Sequence, residues 1–245
     1  MIGDFFDFIG FGILSPMRRS CKELLSKLNN FKRKMVVGIA PGQFKDPKEA
    51  LRITIDCIKF LKRNLELPIL AGCSSPIITN ETSKFADGVL FNYIKPEFLN
   101  WILRFAKRKL FFAAYGPSLI LPSEFFEDLL IASAIVISSK SFVKKFGFED
   151  LFEKINTINF QKLVKRRQEG KSIKNLPEYK ILESNSETLL ENFTISGDFK
   201  NVIKRIKSLL NCCDHVILSD PFFRDDNAMK HLGKIVKSVE CKKYL

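Results

Sequence analysis

Residues 67–97 read LPILAGCSSPIITNETSKFADGVLFNYIKPE, and this stretch decides the fold class. An apolar run at Pro68–Ala71 stops at Gly72, and a second run covers Gly88–Ile94, so the pattern predicts two buried strands. Between them, a predicted helix opens directly after Gly72–Ser75. Because two strands joined by a helix normally lie parallel, the stretch predicts one β-α-β unit of an α/β protein.

The same alternation of strands and helices extends to both sides of this unit. Asp46-Pro47-Lys48-Glu49 is a strong helix start, with an Asp cap, a Pro at the first helical position and a Glu three residues after the cap. Apolar runs predict four further strands, at Phe5–Leu14, Met35–Ala40, Leu110–Tyr115 and His215–Ser219. One face of the helix after Asp46 is predicted to consist of Ala50, Thr54, Cys57, Ile58 and Leu61.

The remaining segments are helical or irregular. Glu124 to about Ile158 predicts a helical span that breaks near Gly147, whereas residues 159–195 form the least regular part of the chain. Phe199–Leu210 has the spacing of an amphipathic helix. Six largely apolar strands separated by helices predict a parallel sheet covered on both faces. An open doubly wound sheet and a (β/α) barrel both fit, and both bind ligands at the carboxyl ends of strands.

Composition and charge describe a globular chain with anionic partners. Hydrophobic residues make up 46% of the 245 residues, and the net charge is +13. This charge favours nucleic acid, anionic lipid or a phosphorylated cofactor without choosing among them. The six cysteines include no CxxC pair, and the only histidines are His215 and His231, so a four-ligand zinc site is not expected. The start lacks a secretion signal and no apolar run is long enough to span a membrane, which predicts a soluble cytoplasmic protein with reduced thiols.

The most suggestive carboxyl end is the turn Gly72-Cys73-Ser74-Ser75. A helix start with small side chains can bind phosphate through backbone N–H groups. The alternative is a plain strand-to-helix turn that binds nothing. Cys73 lies in this turn, where a nearby helix dipole would lower the pKa of its thiol, although a packed turn residue is the simpler interpretation. The chain has neither a Walker lysine motif nor a GxGxxG.

Four segments together resemble the bacterial-luciferase-like superfamily, most closely the coenzyme F-420-dependent reductases typified by methylenetetrahydromethanopterin reductase. Residues 67–97 are similar to that family's strand, phosphate loop, helix ending in A-D-G-V and next strand ending in N. The other three segments are 9–20 (IGFGILSPMRRS), 34–52 (KMVVGIAPGQFKDPKEALR) and 195–223 (ISGDFKNVIKRIKSLLNCCDHVILSDPFF). The resemblance implies a TIM-type (β/α) barrel, formed here as a single domain over residues 1–245, with 159–195 as an insertion before the last strand.

The resemblance also implies a cofactor site. The family's phosphate loop falls on Gly72, Cys73, Ser74 and Ser75, and the asparagine that ends its next strand falls on Asn92, followed by Tyr93. Its bulged strand, which in several members carries a non-prolyl cis peptide behind the ring of the cofactor, falls on Gly12-Ile13. Ser15 stands where the family usually has Asn, and Ser74 where it usually has Gly.

The family has two β-α units before the strand that matches residues 5–14, and these supply its acidic and Asp-His-type residues. This sequence begins after them, so we expect about six strands of an incomplete barrel, with Phe5–Leu14 and His215–Ser219 as terminal strands. We also expect self-association, because an incomplete barrel exposes sheet edges and apolar interior.

The resemblance implies an oxidoreductase that uses coenzyme F-420 or FMN, by hydride transfer or as a flavin monooxygenase, or else a degenerate member. A non-catalytic paralogue that binds a cofactor or a protein partner is an alternative. A basic nucleic-acid-associated protein is a less favoured alternative, because it rests on charge alone. No catalytic residue or metal ligand is predicted.

Overall fold

The computed structural model describes residues 9–30, 35–42, 46–107, 110–137, 139–219, 233–235 and 239. The strands are β1 (Ile9–Leu14), β2 (Met35–Ile39), β3 (Ile69–Cys73), β4 (Gly88–Phe91), β5 (Phe111–Ile120), β6 (Ile195–Gly197) and β7 (His215–Ser219). The helices are α1 (Cys21–Asn29), α2 (Pro47–Asn64), α3 (Pro76–Thr82), α4 (Pro96–Leu103), α5 (Phe126–Ile135), α6 (Lys140–Phe146), α7 (Glu149–Asn156), α8 (Phe160–Gln168), α9 (Pro177–Ser184), α10 (Ser186–Phe193) and α11 (Phe199–Leu210).

The hydrogen-bonded strand order is β1-β2-β3-β4-β5-β6, and β7 pairs with β5. The chain forms two compact units. The first contains residues up to Phe91 together with Trp101–Ala113, and the second contains Asn92–Asn100 and residues from Ala114 onward. Strand β5 begins in the first unit and continues in the second.

The first unit is built on the parallel strands β1 to β4. Its register pairs Val37 with Ile69 and Ala71 with Val89, and all four side chains are fully buried. Helix α2 covers these strands with the five side chains that the sequence predicts, all of them buried. The helix starts as predicted, because the Asp46 carboxylate accepts the N–H of Lys48 at 2.8 Å and of Glu49 at 3.4 Å.

The second unit combines a short parallel strand pair with a group of helices. Ser118 on β5 pairs with Ile195 on β6, and helix α5 contacts α8, α9 and α10. Helix α5 is apolar on nearly all sides, which is the composition of a central helix. Six aromatic side chains contact one another in the same unit, namely Tyr93, Phe98, Phe142, Phe146, Phe148 and Phe193.

Several predicted elements differ from the structure. The predicted strand at 110–115 extends through Gly116-Pro117 to Ile120, and the short strand β6 is an additional one. Strand β7 pairs with β5, the strand that precedes it in the prediction, so the six predicted strands follow one another in sequence order and His215–Ser219 ends the series; the additional strand β6 pairs with the same β5. Residues 159–195 are not irregular, since helices α8, α9 and α10 occupy most of them.

Other predictions are confirmed in outline. The helical span after Glu124 is interrupted at Gly147, which caps α6 in the left-handed conformation with φ of 73°. The pairings described for β1 to β4 and for β5 with β6 are all parallel. The start of the predicted first strand, residues 5–8, lies outside the described residues.

The cysteines also differ from the prediction of reduced thiols. Cys21 on α1 and Cys57 on α2 form a disulfide with a Cα–Cα distance of 5.5 Å. Cys73, Cys212 and Cys213 are free. No described helix has the length and apolar character needed to cross a membrane.

Candidate functional site

The carboxyl end of β1 carries the bulge that the family resemblance implies. Phe11 pairs with Val37 and Ile13 pairs with Gly38, so Gly12 is the extra residue that the β2 strand does not match. A bulge re-aims the side chain that follows it. The cis peptide bond among the described residues is Leu121–Pro122.

The Ile13 side chain packs over Gly72 on strand β3. A Cβ atom added at Gly72 would lie 2.6 Å from Ile13 Cδ1 and 2.8 Å from the Cβ of Ala40. Only glycine therefore fits at position 72 without displacing its neighbours. The Ile13 side chain nevertheless remains 39% exposed, which is unusual for a large apolar residue beside a core strand. The arrangement leaves an apolar surface at the carboxyl ends of β1, β2 and β3.

Ser15 fastens the end of β1 to the end of β2. Its hydroxyl donates to the carbonyl of Pro41 at 2.5 Å and accepts the N–H of Met17 at 3.2 Å. Gly42 adopts φ of 73°, and a Cβ atom there would lie 2.9 Å from Ser15 Oγ. The Ser15 side chain is therefore engaged in holding two strand ends together.

The turn Gly72–Ser75 leads directly into α3. The Ser75 hydroxyl accepts the N–H of Ile78 at 3.4 Å, and its carbonyl accepts the N–H of Thr79 at 3.0 Å. Pro76 stands at the first helical position and has no N–H group. Gly72 and Cys73 still belong to strand β3 and pair with Leu90 and Phe91 of β4, so the backbone amides of the turn itself are those of Ser74 and Ser75.

Cys73 is a packed residue rather than a nucleophile. Its thiol lies 3.4 Å from the Thr82 hydroxyl of α3 and 3.4 Å from the carbonyl of Ala71. Burial raises the pKa of the Cys73 thiol to about 11, so the lowered pKa considered for this turn is wrong. Because the thiol faces α3, only the backbone of Cys73 can contribute to a site in the turn.

Asn92 and Tyr93 belong to the second unit and follow the last residue of β4. The Asn92 side-chain N–H donates to the carbonyl of Val136 at 2.7 Å, while its buried Oδ1 accepts no hydrogen bond. A buried acceptor without a donor is costly and marks a place where a donor is missing. Tyr93 is only 4% exposed, and its ring stacks on Phe142 at 4.6 Å, so the ring belongs to the aromatic core.

The structure thus brings together seven predicted site residues in the first unit, namely Gly12, Ile13, Ser15, Gly72, Cys73, Ser74 and Ser75. Residues 40–42 were not predicted as part of the site, although Ala40 lies beside Gly72, and Pro41 and Gly42 lie beside Ser15. The signal in the sequence that could have revealed these contacts is the recurrence of glycines and other small residues at the carboxyl ends of β1, β2 and β3. The described residues include no group of three or more His, Cys, Asp or Glu that could hold a metal ion.

An open cleft in the second unit was not predicted. It has a volume of about 630 Å³ and lies between helices α10 and α11, beside the carboxyl end of β6. Arg205 forms part of its wall and donates to the carbonyls of Thr194 at 2.6 Å and Glu191 at 2.6 Å, which fastens the end of α10. Sequence reasoning missed it because one wall, α10, falls in the segment expected to be irregular.

Comparisons with known proteins identify the fold. No protein-family model matches the sequence, and no curated protein matches it. Coenzyme F-420-dependent tetrahydromethanopterin reductase from Methanopyrus kandleri is 18% identical, with a TM-score of 0.66 over 94% of this chain and 82% of that one. An F-420-dependent secondary alcohol dehydrogenase, solved with an F-420-acetone adduct, is 13% identical, with a TM-score of 0.60 over 95% of this chain and 79% of that one. The resemblance found in the sequence is therefore confirmed for the fold, and the chain shares with these two solved structures the fold of an incomplete TIM-type barrel of parallel strands.

Proposed function

We propose that this protein is a luciferase-like oxidoreductase that binds coenzyme F-420, with the cofactor phosphate at the turn Gly72–Ser75. One observation carries the proposal: the chain shares its fold with two F-420-dependent oxidoreductases over at least 94% of its length. The bulge at Gly12 supports it, because the bulge lies where the resemblance implies the strand behind the cofactor ring.

The residues of the first unit fit such a cofactor in two respects. The exposed Ile13 offers an apolar surface to a flat ring, and the bulge directs that side chain. The amides of Ser74 and Ser75 are the proposed phosphate donors, since backbone amides bind phosphate without needing a particular side chain. Ser15, where the family usually has Asn, acts by holding the strand ends because its hydroxyl already donates to Pro41.

Within the second unit, Asn92 is the proposed polar contact. Its Oδ1 is buried without a donor, and an N–H or O–H group of a ligand would supply one. Tyr93 would contribute only through its backbone, because its ring is held in the aromatic core. A net charge of +13 also favours an anionic cofactor.

The division of chemical roles follows from these side chains. F-420, when bound, supplies the hydride-transfer chemistry. The residues of this chain bind and orient it and exclude water. The first unit's strand-end segments 12–16, 40–42 and 71–76 contain no acid or histidine, so they provide no group for moving a proton.

The experiment is a titration of the wild-type chain with F-420 and with FMN, followed by absorbance and fluorescence. Two variants accompany it: Ser74→Asp in the turn and Ser26→Asp on the exposed side of α1, which changes the charge equally within the same unit. A carboxylate beside the phosphate costs on the order of 1–3 kcal/mol, so Ser74→Asp should weaken F-420 binding roughly five- to more than a hundredfold. Ser26→Asp should bind like wild type.

Three results would count against the proposal in different ways. Binding of neither cofactor to wild type overturns it as a whole. Equal affinity of wild type and Ser74→Asp places the phosphate elsewhere. Tighter binding of FMN than of F-420 shows that the cofactor is a flavin.

A further inference from the structure

A disulfide joins the first two helices of the first unit. Cys21 is the first residue of α1 and is partly exposed, whereas Cys57 lies on the buried face of α2 and is fully buried. Their Cα atoms are 5.5 Å apart, within the usual range for a disulfide, and their sequence separation is 36. The bond therefore connects a surface-reachable sulfur to one in the core.

The Cys21 end of the bond is tied to the end of β1 by a short turn. The N–H groups of Arg18 and Arg19 donate to the carbonyl of Ser15 at 3.1 and 3.2 Å. The Ser20 hydroxyl caps α1, and the Glu23 carboxylate accepts the Ser20 N–H at 2.8 Å, which fixes the start of the helix. Through this turn the disulfide holds the segment 15–20 on the first unit, because the segment is anchored at both ends.

We infer that Cys21 and Cys57 form a thiol–disulfide exchange site that fastens and releases the β1–α1 turn. In the opening reaction, a thiolate of a small dithiol attacks Cys21 Sγ and forms a mixed disulfide, and Cys57 leaves as a thiolate and takes up a proton. The second thiol of the dithiol then displaces Cys21, so the protein gains two thiols and the dithiol becomes a cyclic disulfide. Closing is the reverse reaction, with a small disulfide as the oxidant.

Three features favour attack at Cys21 over the other described cysteines. Cys21 is the partly exposed member of the pair, whereas Cys57 is inaccessible. Exposed Arg18 and Arg19 precede Cys21 and attract anionic thiols. Cys73 is buried against α3 and has no disulfide partner, so it offers no bond to exchange. The inference rests on the geometry of the first unit and goes beyond the proposed cofactor.

The test compares the oxidised and dithiothreitol-reduced full chain without any cofactor. Alkylation of the unfolded oxidised protein should label four of its six cysteines, and all six after reduction. Hydrogen exchange followed by mass spectrometry should then show peptides covering 15–24 exchanging about tenfold faster in the reduced protein, while peptides of α11 are unchanged. Cys21→Ser should exchange fast in this region under both conditions. Cys57→Ala opens the same disulfide and should give the same result, so it replaces Cys21→Ser if that variant folds poorly. Cys212→Ser, which removes a free cysteine, is the matched control and should respond to dithiothreitol like wild type.

The inference is overturned if all six cysteines alkylate in the oxidised protein, or if reduction leaves the exchange of 15–24 unchanged. Because no cofactor enters this experiment, its failure is independent of the titration with F-420. A protein that shows the thiol-dependent exchange but binds neither F-420 nor FMN would support the exchange site and overturn the proposed function.

Discussion

Arg167 on α8 holds the carboxylate of Asp128 on α5 by two parallel hydrogen bonds. The distances are 2.8 Å from Nε to Oδ1 and 3.1 Å from Nη2 to Oδ2, and Asp128 is fully buried. The hydrogen bonds to Asp128 raise the pKa of the Arg167 guanidinium. The neighbouring Glu127 carboxylate accepts the N–H of Ile173 at 2.9 Å, so the turn after α8 is held against the same helix end.

Replacing Arg167 by alanine should destabilise the protein strongly. The change leaves a charged carboxylate buried without its partner, and such a break costs about 3–5 kcal/mol. Lys165→Ala removes an exposed cation from the same helix and should stay within about 0.5 kcal/mol of wild type. Urea unfolding followed by circular dichroism measures both. Equal midpoints for the two variants would show that the buried pair contributes nothing.

Gly72→Ala tests the contact between β1 and β3 at the candidate site. The added methyl group would meet Ile13 Cδ1 at 2.6 Å and Ala40 Cβ at 2.8 Å. Overpacking of this kind costs about 1–3 kcal/mol. Combining Gly72→Ala with Ile13→Val, which removes Cδ1, should recover part of the lost stability. The recovery should be incomplete because the Cβ of Ala40 remains in place. A double-mutant cycle by thermal unfolding measures the coupling, and strictly additive effects would contradict the contact.

Reduction of the disulfide should lower the stability of the folded state. Opening a loop of 36 residues returns conformational entropy to the unfolded chain, which corresponds to about 3–4 kcal/mol. Urea unfolding with and without dithiothreitol measures the difference, and Cys21→Ser should show no response to the reductant. If Cys21→Ser loses as much stability on reduction as wild type does, another pair of cysteines is responsible.

The parts of the fold that the sequence predicts well are those with a strong local signal. Helix α2 has its cap and its buried face at the predicted positions because Asp46, Pro47 and the apolar spacing all favour one start. Residues 159–195 lack such a signal, since three short helices of eight or nine residues each bury only one or two side chains. Strand β6 has three residues, too few for any periodicity.

The candidate site divides in the same way. The turn Gly72–Ser75 can be found in the sequence because it breaks an apolar run before a helix. That Ile13 occupies the space over Gly72 could not be found, because it depends on the register of β1 and on the bulge at Gly12. The direction of the Cys73 thiol likewise depends on which face of β3 carries α3.

Cys73 should resist alkylation at neutral pH, and its reaction rate should rise steeply with pH. The thiolate is the reactive form, and a pKa of about 11 leaves on the order of one thiolate in a thousand at pH 8. Folding itself keeps the proton on this thiol. The stabilisation associated with the raised pKa is therefore complete below the pKa of about 9 that the unfolded chain has, and is lost as the pH rises toward 11.

Iodoacetamide labelling of the folded chain at pH 7 to 10, with peptide mass spectrometry, measures the rate at each site. Cys212 is partly exposed and free, so it provides the internal comparison. Labelling of Cys73 as fast as Cys212 at pH 8 would mean that the thiol does not pack against Thr82 and that the turn is open from the side of α3.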